Sequence, residues 1–225
     1  MYEEIDEIIG RVEARDSGLL VPVLDRLSIA MRSGTYDSNI VGYEWMLKID
    51  PRGLEGTVLD LGSGTAETFS REMTELGINV ISLNPHLVDP YNAQKAIEGI
   101  RIEDRGPMFG SLATRSTIPW AGRSVAGLAQ ELPFADNTFD TVLAVASSPH
   151  YIPPEDYQIS MQEVARVLKE GGTAHLGPVV EMYPSEFSEE VFLNELDKSG
   201  VDFNIVDIDD LEVFGKPYKR IDITK

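Results

Sequence analysis

The stretch that decides the fold reads VLDLGSGTA and occupies residues 58–66. Its first four residues are typical of a short buried strand, and the glycines that follow predict a tight turn. Gly62 and Gly64 can adopt positive φ and let a ligand approach the backbone with no Cβ in the way. A helix predicted over residues 66–76 would direct its unpaired N–H groups and positive end at that turn. The pattern predicts the strand, turn and helix of nucleotide-type sites in α/β proteins.

Strands and helices alternate along most of the chain. Hydrophobic periodicity and Gly or Pro breaks predict strands at 57–61, 79–83, 125–128, 141–146, 173–176, 202–207 and 218–224, and helices at 39–49, 66–76, 155–168 and 188–198. The Glu-Gly-Gly at residues 170–172 is predicted to stop a helix and turn into the fifth strand. Such alternation predicts a mainly parallel sheet with helices on both faces, that is, a doubly wound α/β fold.

The chain of 225 residues is predicted to form one domain over residues 1–225. Within it, residues 1–50 form a helical cap with helices at 2–14, 19–31 and 39–49. Residues 85–124 interrupt the simple alternation with several prolines and glycines, and we interpret them as an insertion or flap with one helix around 92–102.

Charge and composition restrict the function classes. The sequence has 19 Lys and Arg against 38 Asp and Glu, so its net charge of −19 disfavours nucleic acid and anionic membranes as partners. With no cysteine and three scattered histidines, neither a thiolate site nor a metal site is predicted. No apolar run approaches the about 20 residues that span a bilayer, and the acidic N-terminus does not resemble a signal peptide. These features favour a cytoplasmic protein, and the oligomeric state stays open.

The spacing of the glycine turn separates two kinds of site. A dinucleotide fingerprint needs a third glycine five residues after the first, and that position is Glu67. A nicotinamide-dependent oxidoreductase is therefore disfavoured. An acid two residues before the first glycine, here Asp60, resembles motif I of the class I S-adenosylmethionine-dependent methyltransferases.

Two further stretches resemble the same superfamily. AQELPFADNTFDTV at 129–142 resembles the segment that follows the third strand of its small-molecule, type 11-like members, and MQEVARVLKEGG at 161–172 resembles the helix and Gly-Gly turn before the fifth strand. Three matches in this order are more specific than any one of them. The resemblance implies a Rossmann-like, mainly parallel seven-stranded sheet whose last strand is an antiparallel edge strand. It also implies S-adenosylmethionine as cofactor and a small molecule as methyl acceptor.

The resemblance also implies which residues form the site. In the family, the acid at the Asp60 position tethers the turn and the methionine amino group, and an N-terminal aromatic residue often folds over the cofactor. Tyr36 and Tyr43 are the candidates for that residue, and the alternative is that both are core or surface aromatics. The implied cofactor-binding residues are Tyr36, Asp60, Gly62, Ser63, Gly64, Thr65, Asn84, Ala129, Gln130 and Ser147.

The sequence departs from the family at two positions. Asn84 stands where an acid usually binds the ribose hydroxyls, and Leu128 where an Asp usually faces the adenine amino group. An amide oxygen still accepts a hydroxyl proton, without charge assistance. A non-catalytic binding or interaction protein with a degenerate cofactor site is the alternative that these departures leave open.

Methyl transfer from a sulfonium is an in-line displacement, which requires positioning but neither a metal nor a covalent nucleophile. A general base helps when the acceptor is a hydroxyl or a similar group. In doubly wound folds ligands sit at the carboxyl ends of the strands, where residues 147–151 follow the fourth strand. His150 is therefore the candidate catalytic base, and a histidine that packs or caps the loop is the alternative.

Overall fold

The computed structural model describes residues 38–64, 67–83, 124–125, 127–180, 187–213 and 216–225. The helices predicted at 2–14, 19–31 and around 92–102 lie outside the described residues, as do nearly all of the predicted 85–124 insertion and most of the 1–50 cap. The described part of the chain has no helix long and apolar enough to cross a membrane.

In the part of the chain that the structure describes, seven strands form one sheet in the spatial order β3-β2-β1-β4-β5-β7-β6. They are β1 Thr57–Leu61, β2 Asn79–Leu83, β3 Ser124–Val125, β4 Phe139–Val145, β5 Leu168–Val179, β6 Phe203–Val213 and β7 Lys216–Thr224. The pairs β3–β2, β2–β1, β1–β4 and β4–β5 are parallel, whereas β7 is antiparallel to both β5 and β6. The prediction of a doubly wound, mainly parallel sheet with an antiparallel last strand is confirmed.

Among the described residues, four α-helices cover the two faces of this sheet: α1 Ile40–Leu47, α2 Thr68–Glu75, α3 Tyr157–Val167 and α4 Glu189–Lys198. The side chain of Asn39 begins α1 by accepting a hydrogen bond from the Gly42 N–H at 2.9 Å, and Ser188 caps α4 through the Val191 N–H. Such caps satisfy N–H groups that the first helical turn leaves unpaired. Pro51 lies just beyond α1, where proline is expected because it cannot continue a helix.

The two faces of the sheet bury separate apolar clusters. One cluster joins α1 and α2 to the sheet through residues that include Tyr43, Phe69 and Val58. The other joins α3 and α4 to the opposite face and includes Leu59 and Leu61. Side chains alternate along a strand, so Asp60 in β1 is directed at the α1 and α2 side. This alternation places a carboxyl group inside the first layer of helices.

Three predicted features of the sheet differ from the structure. The sequence predicts the third strand over residues 125–128, but among the described residues only Ser124 and Val125 pair with β2, and Leu128 bridges Glu131 in a turn. The Glu-Gly-Gly segment at 170–172 does not separate a helix from a strand, because β5 begins at Leu168 and the glycines form an irregularity within it. The edge strand is β6, because the chain reverses after β6 and inserts β7 beside β5.

Candidate functional site

The backbone bends sharply after β1, at the point where the order of the sheet reverses. β2 lies on one side of β1 and β4 on the other, so the chain after β1 leaves at the topological switch point of the sheet. Gly62 and Gly64 both have positive φ, at 83° and 73°. The N–H groups of Gly62 and Ser63 donate to the Leu83 carbonyl at 2.8 and 3.2 Å, which ties the bend to the end of β2. Ser63 itself is buried.

Ser147 holds the other side of the bend. Its hydroxyl donates to the Leu61 carbonyl at 2.6 Å. A Cβ on Gly62 would lie 2.3 Å from the Ser147 Cβ and 2.6 Å from its Oγ. The sequence interpretation gave this free space to an approaching ligand, but in the structure the loop after β4 fills it. Gly62 is therefore required for close contact between two segments of the protein, and the bend is held from both sides.

Asp60 is fully buried, and each of its carboxyl oxygens has a hydrogen-bond partner. The Tyr43 hydroxyl donates to Oδ1, the Ser70 hydroxyl donates to Oδ2 at 2.9 Å, and the Ser82 hydroxyl donates to the Ser70 Oγ at 2.6 Å. Burial raises the pKa of Asp60 to about 7, against the two hydrogen bonds, which lower it. In this structure the Asp60 carboxyl group therefore binds the hydroxyl groups of Tyr43 and Ser70, on the α1 and α2 side of the sheet. Asp60 can hold the bend in place only through these two residues.

Glu67 brings a second buried carboxyl group to the bend. It stands just before α2 with a left-handed backbone of φ 54°, and none of the residue is exposed. Its Oε2 lies 3.5 Å from the Arg71 Nη2 one helical turn later. The negative charge of Glu67 contributes to the raised pKa of Asp60. The bend is thus flanked by two buried acids.

The segment after β3 holds three residues singled out from the sequence. Leu128 is 48% exposed and forms a turn in which the Glu131 N–H donates to its carbonyl at 3.2 Å. Ala129 is half-buried against the α3 and α4 side of the core. The Gln130 amide donates to the Asp156 carboxylate at 3.2 Å, next to the start of α3. An apolar, accessible side chain therefore stands where the family usually has an Asp.

His150 is buried in the loop that follows β4. Its Nε2–H donates to the Pro178 carbonyl at 2.7 Å, and its ring meets the Phe187 ring edge-to-face at a centroid distance of 4.6 Å. That bond leaves Nδ1 unprotonated, and Nδ1 is buried with no hydrogen-bond partner among the described residues. Burial lowers the pKa of His150 to about 4, so the ring is neutral near pH 7.

The structure brings some of the predicted site residues together and not others. Asp60, Gly62, Ser63, Gly64 and Ser147 meet at the bend, whereas Ala129, Gln130 and His150 lie in the segments that follow β3 and β4. Tyr36, Thr65 and Asn84 lie outside the described residues. Within the described ranges, no group of three or more His, Asp or Glu side chains could hold a metal ion.

A family model described as a methyltransferase domain matches residues 59–176, which is more than half of the chain. The chain belongs to this methyltransferase family. The match begins in β1 and ends in β5, so it includes the bend, the Ser147 loop and the segment after β3. The family is part of the class I S-adenosylmethionine-dependent methyltransferase superfamily, and its cofactor is S-adenosylmethionine.

Individual relatives agree with this family. The uncharacterized methyltransferase YcgJ of Bacillus subtilis is 27% identical over 158 residues, which cover 68% of this chain and 51% of that protein. The chain thus spans about half the length of this curated relative. A TehB-like S-adenosylmethionine-dependent methyltransferase from Corynebacterium glutamicum superposes with a TM-score of 0.51 at 15% identity, covering 75% of this chain and 79% of that one.

A third relative was solved with bound ligands. The 1,6-didemethyltoxoflavin-N1-methyltransferase of Burkholderia thailandensis, with 1,6-didemethyltoxoflavin and S-adenosylhomocysteine, has a TM-score of 0.50 and 17% identity, covering 99% of this chain and 89% of that one. At these identities the two solved structures establish the fold.

The residues at the bend fit S-adenosylmethionine in their chemistry. The cofactor carries a sulfonium and an ammonium group, and Asp60 and Glu67 supply two buried carboxyl groups. A cation nearby favours the ionised form of such acids and offsets their mutual repulsion. The bend also lies at the carboxyl edge of the sheet, where doubly wound folds bind their ligands.

Proposed function

We propose that the protein transfers a methyl group from S-adenosylmethionine to a small-molecule acceptor. The observation that carries the proposal is the family match over residues 59–176, which covers the bend, both of its supports and the loop of His150. The small-molecule acceptor is supported by the Burkholderia thailandensis relative, whose bound substrate is 1,6-didemethyltoxoflavin. The net charge of −19 and the absence of cysteine support a cytoplasmic enzyme with no nucleic-acid or membrane partner.

The chain's own residues have a limited task in this reaction. The bound cofactor supplies the methyl group and its positive charge. In this proposal the cofactor binds against the bend at the carboxyl edge of the sheet. Hydrogen bonds to Leu83 on one side and from Ser147 on the other keep the backbone of the bend rigid. Rigidity matters because in-line displacement depends on holding the two reactants at a fixed distance and angle.

Calorimetry with S-adenosylmethionine and S-adenosylhomocysteine tests the cofactor part of the proposal. We expect both compounds to bind with one site per chain, and NADH, titrated by fluorescence, not to bind. Transfer of a labelled methyl group to a panel of small hydroxyl and amine compounds then tests activity. Absence of binding by either adenosyl compound at millimolar concentration would overturn the proposed function.

We further propose that His150 acts on the methyl acceptor through Nδ1, the buried ring nitrogen that has no hydrogen-bond partner among the described residues. Because the pKa of His150 is lowered to about 4, the ring is a weak base that stays neutral across the physiological range. Its Nδ1 lone pair then accepts a hydrogen bond from an N–H or O–H of the acceptor. The Pro178 bond fixes the tautomer that makes this possible.

His150→Gln separates this role from simple packing, because the Gln amide can replace the Nε2–H bond to the Pro178 carbonyl but not the Nδ1 acceptor. We expect the urea midpoint of His150→Gln to stay near the wild-type value while kcat falls roughly tenfold. His150→Asn, which keeps an acceptor near Nδ1 but cannot reach Pro178, should lose stability instead. Unchanged kcat in a stably folded His150→Gln would show that His150 only packs the loop.

A further inference from the structure

A chain of hydrogen bonds inside the α1 and α2 layer ends on Asp60. Ser82 of β2 donates to Ser70 of α2, Ser70 donates to one oxygen of Asp60, and Tyr43 of α1 donates to the other. All four residues are buried. Buried polar groups that are satisfied in this way specify one arrangement of the elements that carry them. The arrangement here joins β1, β2 and both helices beneath the bend.

Tyr43 also contacts the other end of the bend. Its ring stacks on that of Phe69, with centroids 3.7 Å apart and planes 8° from parallel. Phe69 is fully buried in the first turn of α2. One side chain from α1 therefore touches the residue two before Gly62 through its hydroxyl and the beginning of α2 through its ring. The backbone between these two contacts is the bend and its continuation into α2.

We propose that Tyr43 is a positioning residue of the cofactor site, which holds the Asp60 carboxyl group and the start of α2 in the arrangement that cofactor binding requires. The proposal rests on the proposed function. If Tyr43 has this role, helix α1 contributes to cofactor binding. Helix α1 precedes residues 59–176, which are the residues that match the family model.

The electrostatics of the layer explain why the hydroxyl of Tyr43 matters. Ionised Asp60 is disfavoured by its burial and by the nearby Glu67, and favoured by the hydrogen bonds from Tyr43 and Ser70. Arg71, whose Nη2 lies 3.5 Å from the Glu67 Oε2, places a positive charge next to this pair. Loss of the Tyr43 hydroxyl raises the pKa of Asp60 further, because a donor to the charged form is gone. At the same pH a smaller fraction of Asp60 is then ionised, so a positively charged cofactor is attracted less strongly.

Tyr43→Phe tests the proposal because it keeps the ring on Phe69 and removes only the hydroxyl. Calorimetric binding of S-adenosylhomocysteine, whose ammonium group remains, is measured from about pH 6 to about pH 8.5. Wild-type affinity should rise with pH as Asp60 ionises. We expect Tyr43→Phe to bind roughly tenfold more weakly near pH 7, with the midpoint of the pH profile moved upward by roughly one unit. Ser70→Ala, which removes the second donor, should move it in the same direction.

Tyr218→Phe is the matched control. The Tyr218 hydroxyl donates to the Trp45 carbonyl on α1 at 3.3 Å, so its loss loosens the same helix without touching Asp60. Tyr218→Phe should leave the pH midpoint in place, and Asp60→Asn should remove the pH dependence. Equal affinity and midpoint in wild type and Tyr43→Phe would overturn the positioning role alone. Failure of the wild type to bind S-adenosylhomocysteine would overturn the proposed function and this inference with it.

Discussion

Replacing Gly62 by Ala is expected to abolish measurable binding of S-adenosylhomocysteine and to lower the free energy of unfolding by about 3 kcal/mol, combining a strained left-handed backbone with an overpacked contact. The new Cβ would stand 2.3 Å from the Ser147 Cβ, a separation that real side chains do not tolerate. The bend or the loop after β4 must then move. Either movement breaks the hydrogen bond between the Ser147 hydroxyl and the Leu61 carbonyl. Urea unfolding and calorimetry measure the two effects.

Gly77→Ala separates the clash from the backbone strain. Gly77 has φ 84°, close to the 83° of Gly62, but a Cβ there meets no atom within 4 Å. Its replacement should therefore cost only about 1 kcal/mol and leave ligand binding intact. Equal destabilisation by the two substitutions would contradict the role given to Ser147.

A second substitution at the contact gives an independent test. Ser147→Gly removes the two atoms that a Cβ on Gly62 would strike, and the next nearest atom, the Ser147 Cα, lies at an ordinary 3.7 Å. The double variant Gly62→Ala with Ser147→Gly should regain part of the stability that Gly62→Ala loses. A coupling of about 1–2 kcal/mol between neighbouring sites is expected for such a pair.

Local sequence patterns predicted the fold well where a short, mainly apolar run lies between glycine or proline breaks. The predicted bounds of the first two strands, 57–61 and 79–83, are those of β1 and β2. The hydrophobic pattern predicted strand ends wrongly where hydrogen-bond pairing with the neighbouring strand, and not residue composition, decides where the strand ends. Val125 pairs with Leu83, and among the described residues none after Val125 continues that ladder. Likewise, the glycines at 170–172 predict a turn, although β5 pairs with β4 on both sides of these residues.

The candidate site was predicted less completely than the fold. The glycine turn identified Asp60, Gly62 and Gly64, because their spacing is itself the signal. Nothing in the sequence relates Ser70 or Ser82 to Asp60, since their contact depends on how α2 packs on β2. The resemblance implies that Tyr43 can fold over the cofactor, whereas in the structure it is buried, with its hydroxyl on Asp60 and its ring on Phe69. The alternation of side chains along β1 predicts which face of the sheet each residue points to. It does not predict which side chain of a packed helix or neighbouring strand will contact that residue.

The contacts of the Arg166 side chain are another case that the sequence does not predict. Replacing Arg166 is expected to have the second large effect. A positive charge is favourable near the C-terminus of any helix, so the position of Arg166 in the sequence predicts no further role for it. In the structure it donates to the carbonyls of Leu132 and Phe134 at 3.0 and 2.8 Å and to both oxygens of Glu163. Glu163 in turn accepts a hydrogen bond from the Leu132 N–H at 2.8 Å. One guanidinium thereby fastens the segment after β3 to α3.

Arg166→Leu is expected to lower the free energy of unfolding by about 3 kcal/mol, since two carbonyls lose a charged donor and Glu163 is left partly buried without its partner. Arg166→Lys should recover only part of this, because one ammonium group cannot reproduce the planar fork. The segment that Arg166 fastens also carries Ala129 and Gln130, so binding of S-adenosylhomocysteine should weaken in both variants. Urea unfolding and calorimetry on the same samples check the expectation.

The Asp136 carboxylate supplies the control for this prediction. It accepts a hydrogen bond from the Arg166 Nη1 at 2.7 Å, but its side chain is 67% exposed. Ion pairs at such exposed positions contribute little because water screens them. Asp136→Asn should therefore change the unfolding free energy by less than about 0.5 kcal/mol. If Asp136→Asn and Arg166→Leu cost the same, the stability would come from the surface pair and not from the carbonyl contacts that attach the segment to α3.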